Sequence, residues 1–405
     1  MKSKYSALAL LILTSLSLSS CSHVPGIPCL VDCGGGGNAT LSFVLTATPP
    51  DPSKGLSLQA FTATITGISL TGTSGVSINV PLNATTYTAD FNRATSDSIL
   101  LAAKVTIPAG TYNQVKVMFS APRITFCTQS NSGTPGCAAG TLASKSGAAG
   151  SATIATTIGV SDNTETGVAL NVDIGNSLTL SGQSVTNVDL TAANVFSMAT
   201  LPPASTKTDL GSGKLSHIDD VMGTITAINS NAITLKTATR GSITATANSS
   251  TQFDTSCASP SVTGCIHVND VAIIDAVLNV DGTLALIYYQ PISLSSIDIL
   301  EGVVTGVPNT NQFSVVVTDS VSASSGSLLN GQVQPGDQIV VTMSAPNPFT
   351  IIAKGLTTPP GNGFAGSTSV TAILPGQTVA FPVLTFTAQS GRLWRGGKAV
   401  HRAGF

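Results

Sequence analysis

Charge is scarce in this chain. Only 9% of its 405 residues are charged, against about 25% in an average soluble domain. The formal net charge is -2 and the isoelectric point about 6.0, which excludes the basic surface a polyanion-binding protein presents, so no nucleic-acid partner is expected. Aromatic residues make up 5% of the chain, with a single Trp, so stacking platforms for bases or sugars are few. Four histidines and no C-x-x-C spacing leave little for a zinc site. No segment shows the 3.6-residue periodicity of a long amphipathic helix. Disorder is excluded from the other side, because 42% of the residues are hydrophobic. Ser, Thr, Asn and Gly stand where charges are missing, which suits β-strands whose outward faces are Ser/Thr.

The N-terminus is the most specific segment. Lys2 and Lys4 precede an apolar run from Ala7 to Leu18, and Leu18-Ser19-Ser20-Cys21 follows. A basic start, a short apolar core and small residues before a cleavage point form a secretory signal. The run is shorter than the ~20 residues a spanning helix needs. The Cys directly after the small residues resembles the lipobox of bacterial lipoproteins. That resemblance implies cleavage after residue 20, diacylglycerol on the Cys21 thiol, acylation such as palmitate and attachment to the membrane. The alternative is an ordinary secretory signal with a chance Cys. Ser22 in the following position provides no Asp retention signal, which by analogy with enteric bacteria points to the outer membrane.

With Cys21 lipidated, six cysteines remain in three sequence-local pairs: Cys29/Cys33, Cys127/Cys137 and Cys257/Cys265. In an exported chain they read as three disulfides stapling loops. Closing the 127–137 loop is worth roughly 2.5–3 kcal/mol by chain entropy.

Residues 21–40 read as a tether, with Pro25, Pro28 and the run Gly34–Gly37. From residue 41 to 200 short β-like runs alternate with turn signals. Phe61, Ala63 and Ile65 share one face; after Gly67 the phase shifts to Ile68 and Leu70, predicting a bulge at the glycine. Val115, Val117 and Phe119 alternate, as do Leu170, Val172 and Ile174. These predict an antiparallel β-sandwich. Pro202 and Pro203 open a linker over 201–216, and a weak repeat lies beyond it. Gly223, Ile225 and Ile228 lead to a turn at Asn229-Ser230-Asn231, as Gly302, Val304 and Val307 lead to Pro308-Asn309. Asp270 before Val271 matches Asp337 before Ile339, and Asp281-Gly282 predicts a two-residue hairpin. The expectation is all-β: a sandwich, then two small tandem β-barrels over 217–292 and 297–388, then a solvated basic tail over 389–405. Gly223 and Gly302 should open the first strands, Ile225 and Val304 should face inward, and Val271 and Ile339 should occupy equivalent inward positions.

Several local patterns invite chemistry, each with a plainer explanation. His217-Ile218-Asp219-Asp220 is the one His/carboxylate group, but no G-x-S-x-G elbow accompanies it. Gly361–Gly366 matches G-x-G-x-x-G by letters, yet Pro359-Pro360 precedes it and no helix pattern follows. Gly211-Ser212-Gly213-Lys214 lacks the Ser/Thr of a phosphate loop. Asp51, Asp90, Asp173, Asp219, Asp220, Asp270 and Asp281 could offer oxygen to calcium, although no calcium-loop register appears and turn formation explains them. Tyr112, Tyr288, Tyr289 and Trp394 are the few candidate sugar-stacking residues; Tyr112 or Tyr288 could equally be core.

The stretches Phe61–Leu70, Pro108–Lys116 and Gly167–Ile174 resemble a β-sandwich domain of unknown function in bacterial envelope lipoproteins of acidobacterial type. The repeats at 221–290 and 300–355 resemble small β-barrel domains of unknown function that follow it. The resemblance implies an architecture and no catalytic residue, metal or cofactor. The chain therefore reads as a non-enzymatic, lipid-anchored envelope scaffold, extracytoplasmic, with envelope proteins or glycans as partners. A glycan- or solute-binding surface lipoprotein is the alternative.

Overall fold

Residues buried alternately, as over 150–160, or continuously, as over 41–47 and 271–278, build strands, and strands build the fold. A computed structural model describes residues 37–83, 88–95, 98–129, 141–200, 217–238, 240–254, 256–279, 282–292, 298–309, 311–322, 327–329, 332–343, 373, 377–387 and 397–403. Among them the longest α-helix is α1, Val262–Cys265. The expected all-β class is what the structure shows.

Two sheets face each other over residues 38–200. In the first, β13 (Phe196–Thr200), β10 (Glu165–Asp173), β1 (Asn38–Thr48) and β5 (Ile99–Pro108) lie in that order, and β1 runs parallel to β10, so the expected antiparallel pairing is corrected at that pair. The second runs β8 (Leu142–Ser146), β7 (Arg123–Cys127), β2 (Ser57–Gly72), β6 (Gly110–Phe119) and β9 (Gly150–Val160). Short strands β3 (Ser77–Val80) and β4 (Thr88–Asp90) also pair with β2, while β11 (Leu178–Ser181) and β12 (Ser184–Val188) form a separate hairpin. Phe43, Phe61, Leu70, Val117, Phe119 and Leu170 meet between the sheets. The pairing of β2 with β6 slips between Ile65 and Gly67, so the expected bulge is present. Tyr112 is buried in this core and donates its hydroxyl to Pro108 O at 2.7 Å.

Strand β1 begins at Asn38, inside the span assigned to the tether. It is buried on both faces. Phe43 and Leu45 point between the sheets, while Val44, with Leu100 and Ala169, joins the core of the next unit.

That unit comprises β14 (His217–Asn229), β15 (Ala232–Lys236), β16 (Ser242–Phe253), β17 (Val271–Leu278) and β18 (Leu284–Ile292), closed in the order β14-β15-β16-β18-β17. The second circuit is β19 (Asp298–Asn309), β20 (Gln312–Val321), β21 (Gln338–Met343), β22 (Thr378–Val383) and β23 (Gly397–Ala403), closed as β19-β20-β21-β23-β22. Both circuits follow one plan: first, second, third, fifth, fourth, with third and fifth strands parallel. Ile225 and Val304 are fully buried and face their own barrel cores.

The two glycines explain the repeat. An added Cβ on Gly223 would lie 2.6 Å from Lys236 O, and one on Gly302 would lie 2.6 Å from Val316 O. In each barrel the first strand crosses the second so closely that only glycine fits. The expectation that Gly223 and Gly302 open their first strands is corrected: both sit inside β14 and β19.

Three further expectations need correction. Val271 opens the fourth strand of its barrel and belongs to an apolar cluster between the barrels, whereas Ile339 lies in a third strand and in the second barrel's core. The register makes Ile243 the partner of Ile339, since Leu235 pairs with Ile243 as Val315 pairs with Ile339. The resemblance misled because Asp270 and Asp337 make the same turn, each accepting the backbone N–H three residues back. That turn is local chemistry and serves any strand entry. Second, the loop joining β17 to β18 spans 279–283, closed by Asn279 N to Thr283 O at 2.8 Å, and is longer than two residues. Third, residues 397–403, assigned to a solvated tail, form β23 and pair with β21, so the second circuit extends beyond residue 388.

Candidate functional site: the junction of sandwich and barrels

Several ion pairs lie where the sandwich meets both barrels. Asp90 ends β4, and its Oδ1 accepts the backbone N–H groups of Phe61 at 2.9 Å and Asn92 at 3.0 Å. This folds the chain into a 3-10 turn, Arg93–Thr95, which projects Arg93 out of the sandwich. Burial pushes the Asp90 carboxyl up to about 6, against the pull of those N–H groups and of Arg93.

Arg93 bridges both barrels. Its Nη2 lies 3.2 Å from Asp220 Oδ2, and its Nη1 pairs with Glu301 Oε1. Asp220 reaches it through a bulge in β14 between Ile218 and Val221. There its backbone turns to φ 50°, and its N–H is held by Asp275 Oδ1 at 2.8 Å. Glu301 on β19 also accepts from the Thr318 hydroxyl at 3.1 Å and stands opposite Asp319 on β20.

Asp319 meets the other guanidinium. Arg240 leaves the turn between β15 and β16, where the Thr237 hydroxyl accepts its N–H at 2.7 Å and donates to Gly241 O at 2.9 Å. Arg240 Nη2 then lies 3.0 Å from Asp319 Oδ2, with the side chains 4% and 1% exposed, so this pair is sealed from water. Burial raises Asp319 above the usual carboxylate range; Arg240 opposes the shift and Glu301 adds to it. On the far side Arg123 pairs with Asp337 at 3.3 Å, and Gln338 Nε2 donates to Ser144 Oγ at 3.1 Å. Around these polar contacts Met222, Val271, Ile273, Ile299 and Val321 form a dry seam between the barrels.

The arrangement fixes relative position. Each guanidinium is held by carboxylates from another unit, and breaking a buried pair of this kind costs about 3–5 kcal/mol. Asp220, one of the two carboxylates beside His217 in the sequence, is thereby occupied in docking. The side chains of His217 and Asp219 lie outside the described residues.

The remaining candidates separate into three groups. Cys257 and Cys265 form a disulfide, Cα to Cα 5.4 Å. Cys127 is disulfide-bonded, with its partner outside the described residues. Cys21, Cys29, Cys33, Cys137, Gly211–Lys214, Gly361–Gly366, Trp394 and Asp281 also lie outside them. The other acidic candidates make turns: Asp51 caps Ser53 N at 2.8 Å and Asp173 accepts from Asn176 N at 2.9 Å. Among the described residues no three His, Cys, Asp or Glu side chains are placed to hold a metal ion.

Tyr289 is fully buried inside the first barrel, and the Tyr288 hydroxyl donates to Asp254 at 2.9 Å. Burial raises both phenols, with Asp254 adding to the shift at Tyr288 and Asp270 at Tyr289. Five-stranded Greek-key barrels that bind oligonucleotides or oligosaccharides use the face of strands two and three. On the first barrel that face carries Thr234, Lys236, Ser242, Thr244 and Thr246. A shallow pocket of about 340 Å³ lies beside the disulfide, lined in part by Ser256, His267 and Asp270. There His267 Nδ1 sits 3.2 Å from Asp270 Oδ2, within the turn that Asp270 already organises.

Sequence reasoning passed over Arg93, Arg123, Arg240, Glu301 and Asp319. Arg93 and Glu301 are 208 residues apart, and the only signal in the sequence was the rarity of charge itself. No protein-family model, curated protein or solved structure matches the chain.

Proposed function

We propose that this chain is a non-enzymatic scaffold of the bacterial cell envelope, exported, lipidated at Cys21 and held extracytoplasmically, with a β-sandwich and two tandem barrel domains acting as one rigid body. The observation that carries the reading is the junction. Arg93 pairs with a carboxylate from each barrel, Arg123 pairs the sandwich with the second barrel, and Arg240 ties barrel to barrel. A chain with few charges that places Arg93, Arg123, Arg240, Asp220, Glu301, Asp319 and Asp337 in pairs between units is suited to presenting surfaces at a set distance from an anchor. Its outward strand positions, such as Ser151, Thr153 and Thr157 on β9, are small and uncharged. That pattern supports protein contact over sugar stacking, as does the burial of Tyr112 and Tyr289.

The experiment places a photo-crosslinking residue at Thr153 or Thr244 of the full-length protein in its native envelope. Capture of one discrete envelope protein, lost in Cys21→Ala, supports the scaffold. Saturable binding of purified glycans with no protein adduct supports the surface-binding alternative instead.

A further inference from the structure

An edge strand presents a row of unpaired backbone N–H and C=O groups, and native sheets blunt their edges with short strands, Lys, Pro or a covering loop. Both barrels are closed, which leaves the two facing sheets of the sandwich with edges to guard. Most of those edges are blunted. Strands β3 and β4 are four and three residues long, and β13 has five and is followed in sequence by Pro202-Pro203. Strand β8 also has five residues, carries Lys145 and is met at Ser144 by Gln338 of the second barrel. The outer side of β5 is covered by Asn83, whose N–H donates to Leu101 O at 2.8 Å and whose Oδ1 accepts from Ala103 N at 3.3 Å. Strand β9 has none of these devices. It is 11 residues long, about 35 Å at the usual rise, and contains no Lys, Arg, Asp, Glu or Pro. It pairs with β6 on one side and, among the described residues, with no strand on the other. Its register against β6 runs unbroken over 150–155 and slips only beyond Ala155. Over that run Ser151, Thr153 and Ala155 are exposed on the outer face, while Ala152 and Ile154 pack on the sandwich core.

We propose that β9 pairs with β9 of a second copy of this chain, antiparallel about Thr153, so that two sandwiches share one continuous sheet. Residues directly opposite in an antiparallel pair lie on the same face. On this axis Thr153 faces its own copy, Ser151 faces Ala155, and Ala152 faces Ile154. Every outward side chain in the contact is small and uncharged, so no like charges oppose each other, and facing threonines favour one another across strands. An extended peptide added to a sheet edge takes its specificity from side-chain pockets; the small outward side chains of 150–155 suit an identical edge instead. The symmetry is that of a two-fold dimer, which closes after two copies and leaves no further edge of this kind. The contact stands apart from the anchor, and a monomeric chain would leave the envelope reading untouched.

The test is sedimentation of the full-length protein in detergent at about 1–100 μM, for wild type, Thr153→Lys, Thr153→Glu and an equimolar mixture of the two variants. Wild type should show a monomer–dimer equilibrium. Like charges facing each other on the axis should raise the midpoint concentration about tenfold in each variant. The mixture, with Lys facing Glu, should associate at least as well as wild type. Distances within one copy are then read from labelled chains diluted in unlabelled protein. A wild type that stays monomeric throughout overturns the proposal. So does either variant dimerising like wild type, or a mixture no more dimeric than its components. Thr153 is exposed, so these substitutions leave the core untouched. Should either misfold, Ala155→Lys mixed with Ser151→Glu, which face each other on this axis, decides by the same readout: recovery in the mixture supports the pairing and its absence refutes it.

Discussion

Replacing Arg93 with Met should be among the most damaging single substitutions in the chain, and the damage should be repairable at one other position. Met keeps much of the packed stem of Arg93 and removes the guanidinium. Glu301, 3% exposed, is then left with the Thr318 hydroxyl and, among the described residues, no cation in contact. An uncompensated buried charge of this kind costs about 3–5 kcal/mol. Asp220 is about one third exposed, so water replaces its lost partner and adds about 0–1 kcal/mol. The expected loss is therefore about 3–5 kcal/mol by urea unfolding at pH 7. Glu301→Gln in the Arg93→Met background removes the stranded charge while keeping an acceptor for Thr318. It should return most of that loss, leaving the double variant within about 2 kcal/mol of wild type, the residue being one or two neutral hydrogen bonds. A loss under about 1 kcal/mol in Arg93→Met, or a double variant no better than the single one, would refute the claim that Glu301 is buried and dependent on Arg93.

Other expectations follow from the same structure. Asp90→Asn should invert its effect with pH. Ionised Asp90, its carboxyl raised to about 6, costs about 3 kcal/mol at pH 7.5; with about 1 kcal/mol lost in hydrogen bonding, the variant should be about 2 kcal/mol more stable there and slightly less stable at pH 4, as thermal or urea midpoints would report. Gly223→Ala and Gly302→Ala, whose added methyls would meet backbone carbonyls at 2.6 Å, should each cost about 1–3 kcal/mol; tolerance within 0.5 kcal/mol at both would contradict the shared strand crossing. Replacing both Cys257 and Cys265 with Ser opens a loop of separation 8 and should cost about 2.5 kcal/mol without altering the barrel's circular dichroism. Cys21→Ala should abolish lipid labelling and move the protein to the soluble fraction; a membrane-bound variant would end the anchor proposal.

What could be read from the sequence was whatever depends on neighbours along the chain. Alternation at Val115, Val117 and Phe119 named inward residues because a strand's side chains must alternate. The phase slip at Gly67 announced its bulge, and Gly223 and Gly302 marked a repeat because a close crossing forbids a side chain. The same local logic failed where one turn served two purposes, so Val271 and Ile339 were matched although they lie in different strands of their barrels. It failed again at residues 397–403, whose basic character hid a strand that pairs with β21. The junction was beyond it altogether. Arg240 and Asp319 have unremarkable surroundings in sequence, and only tertiary structure brings them to 3.0 Å.

The central claim is that sandwich and barrels move as one body, and interspin distances test it directly. Nitroxides would be placed on exposed positions as Thr153→Cys with Thr244→Cys, and as Thr153→Cys with Val340→Cys, in the oxidised protein, and the distributions measured by pulsed electron resonance. Narrow, single-peaked distributions for both pairs, broadening when Arg93→Met is added, are what the account predicts. Broad or multi-peaked distributions in the otherwise wild-type chain would contradict it.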